Sequence, residues 1–121
     1  MKKILTQALL PVCCAAACLL SVSSYAAGNA DAGKLLVEKF NCASCHGKDF
    51  NSPIDPSYPK LAGQHQDYLQ HALIAYRRGD SAMNGRTNAI MSAQAKALSD
   101  LDIANIAAYL HALPGSLVLE K

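Results

Sequence analysis

Tryptophan is absent from this 121-residue chain, and phenylalanine occurs only twice. So few large rings build only a modest core. No segment alternates apolar and polar residues over a strand's length, and no internal repeat is present, so neither a sheet nor a solenoid is expected. The chain has no glycine-rich nucleotide loop, no Ser/His/Asp arrangement and no placeable pair of catalytic carboxylates. Charge of one sign is scarce as well: the formal net charge is +2. No basic face for nucleic acid is implied.

Cysteine is scarcer than its count suggests. Lys2 and Lys3 open a mostly apolar run from Ile4 to Leu20. Ser24-Tyr25-Ala26 then offers small residues at the two positions a signal peptidase reads. The run is broken by Thr6, Gln7 and Pro11, so a removed leader is preferred to a retained membrane span. Residues 1–26 are therefore expected to be a signal peptide and 27–121 a single domain. Export removes Cys13, Cys14 and Cys18 and leaves only Cys42 and Cys45. Losing Lys2 and Lys3 brings the 11 basic residues down to 9, equal to the 9 acidic ones.

Helical periodicity dominates the remainder. Residues 27–32 read as a flexible lead-in, with Asn29 or Asp31 as the cap of a first helix. Gly33, Leu36, Val37 and Phe40 give that helix one apolar face, and it runs directly into Cys42. Gly33 is costly inside a helix, and close approach of another helix is its expected purpose. Residues 47–60, with Pro53, Pro56 and Pro59, read as a loop long enough to wrap something. A second helix spans Gln64 to Arg78, with Leu69, Ala72, Leu73 and Tyr76 as its buried stripe. Residues 79–88 form another loop, and a short helix is expected over Ser92 to Leu98. Ser99 and Asp102 resemble a capping box that opens a last helix carrying Ile103, Ile106, Ala107 and Leu110. Pro114-Gly115 stops it. The expected fold is all-α, three main helices plus loops.

Cys42-Ala43-Ser44-Cys45-His46 is a C-x-x-C-H sequence, the attachment signal for a c-type haem. Two thiols three positions apart can add across the two vinyl groups of one porphyrin, and the adjacent imidazole is placed to bind the iron. A zinc half-site or a redox dithiol is the competing reading of C-x-x-C alone. A structural zinc site needs about four ligands, and no second Cys/His cluster follows. A thioredoxin-like dithiol would sit in a βαβ pattern, which is missing. One covalently attached haem c is the expected cofactor, and its apolar plate gives short helices something to cover.

Four stretches together resemble the class I cytochromes c of bacteria, particularly the small periplasmic monohaem kind related to the c4, c5 and c553 types. They are Cys42-Ala43-Ser44-Cys45-His46-Gly47, Pro59-Lys60-Leu61-Ala62-Gly63-Gln64, Asn88-Ala89-Ile90-Met91, and Leu98-Ser99-Asp100 through Tyr109-Leu110. The resemblance implies the class I cytochrome c fold, with the helix carrying Gly33 crossing the one carrying Tyr109. It implies His46 as proximal ligand, Met91 as distal ligand, and the Pro59 carbonyl as acceptor from the other nitrogen of His46, which fixes the ring.

Among the residues themselves, the second axial position is open to Met83, Met91, His65, His71 and His111. Met91 ends the Asn88 loop and directly precedes a helical segment, which favours it. Met83 lies in the more mobile Ser-Ala-Met-Asn-Gly and is the alternative. The three histidines read as solvated, His111 at a helix end where a cation is favoured. Arg77-Arg78 reads as ordinary helix-end solvation rather than a docking patch.

Thioether ligation favours Fe(II), and two protein ligands leave no position for substrate, which suits a one-electron carrier rather than an enzyme. The expected role is shuttling electrons in the periplasm between membrane or periplasmic redox proteins, as a monomer or a dimer. The alternatives are a haem subunit of a larger oxidoreductase, and a peroxidase or gas-binding protein with an openable distal site.

Overall fold

The computed structural model describes residues 27–116. The expected leader over residues 1–26 lies outside them. Five helices follow in order: α1 (Ala30–Lys39), α2 (Ala43–His46), α3 (Gln66–Arg78), α4 (Ala89–Lys96) and α5 (Asp100–Ala112). No strand occurs among the described residues. α1, α3 and α5 are the three main helices, as the periodicity predicts.

α1 begins earlier than the expected lead-in allows. Asn29 is its cap, and Oδ1 accepts from the Ala32 amide at 2.9 Å. The Asn29 amide in turn donates to Oδ1 of Asn105 on α5 at 2.8 Å. The lead-in is thus tied to the last helix rather than loose. α1 packs across α5, and Gly33 sits at the crossing. A Cβ there would lie 2.0 Å from the Asn105 carbonyl oxygen and 2.7 Å from Cβ of Tyr109. Only glycine lets the two backbones come this close. Of the expected α1 face, Gly33 and Val37 are buried while Leu36 and Phe40 are half-buried. α1 also stops short of Cys42: Phe40 and Asn41 make the turn into α2, with Asn41 in the left-handed region at φ 53°.

α5 is the central element. Its start is the predicted capping box: the Ser99 hydroxyl accepts from the Asp102 amide, and the Asp102 carboxylate accepts from the Ser99 amide. Two orphan amides at the helix start are satisfied at once. Ile103, Ile106, Ala107 and Leu110 are all buried, as their spacing predicts. They form the core with Val37 of α1, Leu69 of α3, Leu98, and two loop residues, Phe50 and Ala62.

Phe50 lies in the long loop after α2 and was not marked by any pattern. It is 3% exposed and packs edge-on against Tyr109, ring centroids 6.2 Å apart. Its backbone is left-handed at φ 55°, a conformation that costs a bulky residue about 1–3 kcal/mol. The surroundings hold it there. Its carbonyl accepts from the amides of Leu61 and Ala62 at 2.8 and 3.2 Å.

Two further expectations change. The helix expected over Ser92–Leu98 is α4 and begins at Ala89, because the Asn88 side chain caps it and accepts from the Met91 amide at 2.9 Å. Met91 is therefore in the first turn of a helix rather than before one. On α3, which begins at Gln66, Leu69 is buried as expected. Ala72, Leu73 and Tyr76 are only half-buried, and the other buried residue of α3 is Ala75. The half-buried side of α3 faces a cleft.

Candidate functional site: a cleft over the C-x-x-C-H turn

The cleft encloses about 1410 Å³, part of it open to solvent. Its walls come from every helix but α1, together with the loop after α2 and the turn before it. Cys42, Cys45, His46, Pro59 and Met91 all line it.

α2 is a single turn, and it sets Cys42, Cys45 and His46 close together along one short segment. No disulfide joins Cys42 to Cys45. Burial pushes the Cys42 thiol above its ordinary range, because the uncharged form is preferred where water is scarce. Gly47 ends the turn at φ 82°, and a Cβ on it would meet the Ser52 carbonyl oxygen at 2.1 Å. Glycine at that position lets the following loop fold back over α2. The fold-back is pinned where the Ile54 amide donates to the Cys45 carbonyl at 3.1 Å.

His46 is 6% exposed. Its Nδ1–H donates to the Pro59 carbonyl at 2.9 Å. A carbonyl only accepts, so the proton is on Nδ1 and the lone pair of the neutral ring is on Nε2. The ring of Tyr58 lies beside it, centroids 6.3 Å apart.

The methionines separate cleanly. Met91 lines the cleft from the first turn of α4, whereas Met83 is 100% exposed and lines none of it. His65, at the start of α3, and His71, on it, are both exposed. His111 is exposed too, but it has a defined partner: Nδ1 donates to the Gln64 carbonyl at 2.8 Å. Among the described residues, no three His, Cys, Asp or Glu side chains cluster as a bare metal ion would require.

Two arginines took positions that spacing did not reveal. Arg77 donates to the Leu98 carbonyl at 2.9 Å and pairs with Asp100, so it joins the end of α3 to the α4–α5 junction. Arg86 lines the cleft, its guanidinium carbon 5.4 Å from the Tyr68 ring centre and 5.7 Å from that of Tyr76. Hydrogen bonding to the Tyr68 hydroxyl raises its pKa further above the ordinary arginine value. The aromatic residues on α3 at i and i+8 were the available signal.

The comparisons with known proteins agree with this geometry. The cytochrome c family model matches residues 30–114. Cytochrome c-554(548) of Halomonas halodenitrificans is 43% identical over 83 residues, 69% of this chain and 94% of that protein. Cytochrome c-554(547) of Halothiobacillus neapolitanus is 38% identical over 93 residues, 72% of this chain and 99% of that protein. Cytochrome c4 of Stutzerimonas stutzeri is 40% identical over 97 residues, 77% of this chain but 45% of that protein. The crystal structure of reduced recombinant cytochrome c4 from Pseudomonas stutzeri is similar at a TM-score of 0.66 and 38% identity, covering 75% of this chain and 48% of that chain. The chain thus spans nearly all of the two c-554 proteins and about half of the c4 chains. No described helix is long and apolar enough to cross a membrane. The chain belongs to the cytochrome c family, class I and all-α, whose members carry covalently attached haem c and move electrons.

Proposed function

We propose that this protein is a periplasmic one-electron carrier whose iron is held by His46 and Met91. Cys42 and Cys45 are the covalent anchors of the haem, and the Pro59 carbonyl orients His46. The observation that carries the reading is the convergence of all five residues on one cleft, with Met83 fully exposed outside it. Residues 1–26 are the export signal on this reading, and electrons come from and go to membrane or periplasmic redox proteins.

The residues present suit the group. Leu69, Leu73, Leu98, Ile106 and Leu110 give an apolar lining for a flat ring. The Nδ1–H···O bond leaves Nε2 of His46 as the ring's electron-pair donor and raises its basicity. The Met91 thioether is a soft donor that favours the reduced metal. Haem iron supplies a reversible one-electron couple when bound. The protein's part is to hold both donors on short helices, so that changing valence would require little movement. Asn88 does this for Met91 by capping α4 through the Met91 amide.

The test is Met91→Ala beside Met83→Ala in the purified, pigmented protein. Met91→Ala is expected to lower the reduction potential and to let the reduced protein bind CO. Met83→Ala is expected to leave both unchanged. A native spectrum and potential in Met91→Ala would remove Met91 as a ligand.

A further inference from the structure

We propose that Asn51 is a positioning residue for His46. Its carboxamide clamps the loop after α2 to the segment that follows α5, and so keeps the Pro59 carbonyl on the imidazole. The inference rests on His46 binding haem iron in the cleft, and it concerns a residue that does not line the cleft.

The clamp uses both halves of the side chain. Nδ2 of Asn51 donates to the Pro114 carbonyl at 2.9 Å, and Oδ1 accepts from the Ser116 amide at 3.2 Å. The partners fix the orientation of the carboxamide, because a carbonyl only accepts and an amide N–H only donates. An aspartate could satisfy the accepting half alone. The two bonds span 63 and 65 positions of chain. The gripped segment is itself placed. A Cβ on Gly63 would lie 2.6 Å from Cα of Gly115, so loop and tail touch backbone to backbone between the two bonds. The Gly63 amide also donates to the Leu110 carbonyl of α5 at 2.9 Å.

From Asn51 the hold reaches His46 in short steps. Asn51 follows Phe50, whose carbonyl takes the amides of Leu61 and Ala62. Leu61 is two residues from Pro59, and the Pro59 carbonyl takes the Nδ1 proton of His46. The stretch before Pro59 gives no such support. Its bonds are local, from the Tyr58 amide to the Asp55 carbonyl and from Ser57 to the Asp55 carboxylate. Pro59 is therefore placed from the Leu61 side, and Phe50 is where that side is fastened. Phe50 keeps a left-handed backbone at φ 55°, which persists only where the surroundings over-determine it. A clamp on the next residue is one such restraint. The Lys60 ammonium also approaches the Ser116 hydroxyl, but at 3.5 Å, beyond the ordinary hydrogen-bond range.

The consequence is electrochemical. Donation from Nδ1 makes Nε2 the more basic ligand. A more basic ligand stabilises Fe(III), so a firm Pro59 bond lowers the reduction potential. Releasing the clamp lets the Pro59 carbonyl leave the imidazole part of the time. The potential then rises, and water gains access to the Nδ1 proton.

The experiment takes the haem-loaded protein as wild type, Asn51→Ala, Asn51→Leu, Ser116→Pro and Gly33→Ala. It measures the reduction potential, and by NMR of the reduced state the rate at which the His46 Nδ1 proton exchanges with solvent. Both Asn51 variants should speed exchange about 5–30-fold, the factor that two hydrogen bonds of ordinary net strength supply, and raise the potential. Ser116→Pro removes only the bond to Oδ1 and should move both quantities the same way by less. It carries the test should the Asn51 variants fail to mature. Gly33→Ala loosens the fold at the α1–α5 crossing and should leave the potential unchanged. The proposal is overturned if either quantity stays at the wild-type value in the clamp variants that mature. It is overturned equally if Gly33→Ala reproduces both changes, because the clamp would then act through global stability alone. A colourless wild-type protein would instead defeat the haem reading itself.

Discussion

The ring nitrogen of His46 and the backbone oxygen of Pro59 are joined at 2.9 Å across thirteen residues of loop. This bond sets which nitrogen of His46 is free to bind metal, and it depends on a loop with no regular structure of its own. What holds the loop is Phe50, buried against Tyr109, with its carbonyl taking the amides of Leu61 and Ala62. Phe50→Ala is expected to cost about 3–5 kcal/mol, the usual range for a buried phenylalanine. Guanidinium unfolding of the pigmented protein measures it. A loss below about 1 kcal/mol would mean that the loop is secured some other way.

Gly33→Ala tests the α1–α5 crossing. The added methyl meets the Asn105 backbone at 2.0 Å and Cβ of Tyr109 at 2.7 Å, and neither atom belongs to a flexible side-chain end. The helices must separate, so the change should destabilise by about 1–3 kcal/mol or more. This happens although alanine is the better helix former by about 1 kcal/mol. Thermal melting of the variant gives the sign directly: a raised Tm contradicts the contact.

Much of this fold is legible along the chain because its signals are local. The C-x-x-C-H turn, the Ser99–Asp102 box and the stripe Ile103, Ile106, Ala107, Leu110 each occupy less than three turns of helix, and each lies where its spacing places it. The misses are long-range. Phe50 sits among prolines and polar residues, and no periodicity marks a single ring that inserts from a loop. Asn105 looks like a polar interruption of an apolar face. It is 8% exposed and holds the Asn29 amide 76 residues away. Met91 is picked out by its neighbours, but the start of α4 is not, because alanine, isoleucine and methionine after Asn88 read equally as the end of a loop. The half-buried side of α3 has a different cause. Leu73 and Tyr76 carry a helical stripe that faces the cleft rather than the core.

That last point predicts what the fold does without its cofactor. Leu69, Leu98, Ile106 and Leu110 belong to the core and also line the cleft. An unfilled cleft exposes one side of each to water, at about 25 cal/mol per Å² of apolar surface. A Cys42→Ala/Cys45→Ala double variant made without haem is expected to lose most of its helical signal in far-ultraviolet circular dichroism. Native-like helicity in that protein would show that the polypeptide core suffices.

Acid sensitivity should have a component from the start of α5. Hydrogen bonds from the Ser99 amide and hydroxyl hold the Asp102 carboxyl below the ordinary aspartate value of 3.8. A carboxyl with a depressed folded pKa contributes stability that is complete above the unfolded value, about pH 4. The contribution is lost as pH falls through the folded value. Ser99→Ala removes one of those bonds and the cap, so it should cost about 0.5–2 kcal/mol at neutral pH. It should also make stability fall less steeply between pH 4 and 2. Asp49 and Asp55 are held low by their own loop hydrogen bonds and keep part of the slope. Denaturant midpoints at several pH values for wild type and Ser99→Ala compare the two slopes, and parallel curves would disprove the link.

Arg77 and Asp100 form an ion pair whose two ends should behave differently on mutation. Asp100 is 86% exposed at its side chain, so removing it forfeits only a solvent-screened pair. Such pairs contribute about 0–1 kcal/mol. Arg77 also donates to the Leu98 carbonyl, which closes the bend between α4 and α5. Deleting it strands that carbonyl, at about 1–3 kcal/mol for an unsatisfied group, while the exposed Asp100 carboxylate is left to water. Asp100→Ala should therefore be nearly silent in 0.5 M salt, and Arg77→Ala should keep most of its cost there, because salt screens the pair and leaves the carbonyl bond intact. If raising the salt brings Arg77→Ala to the level of Asp100→Ala, the arginine acts only through charge, and the Leu98 bond contributes nothing.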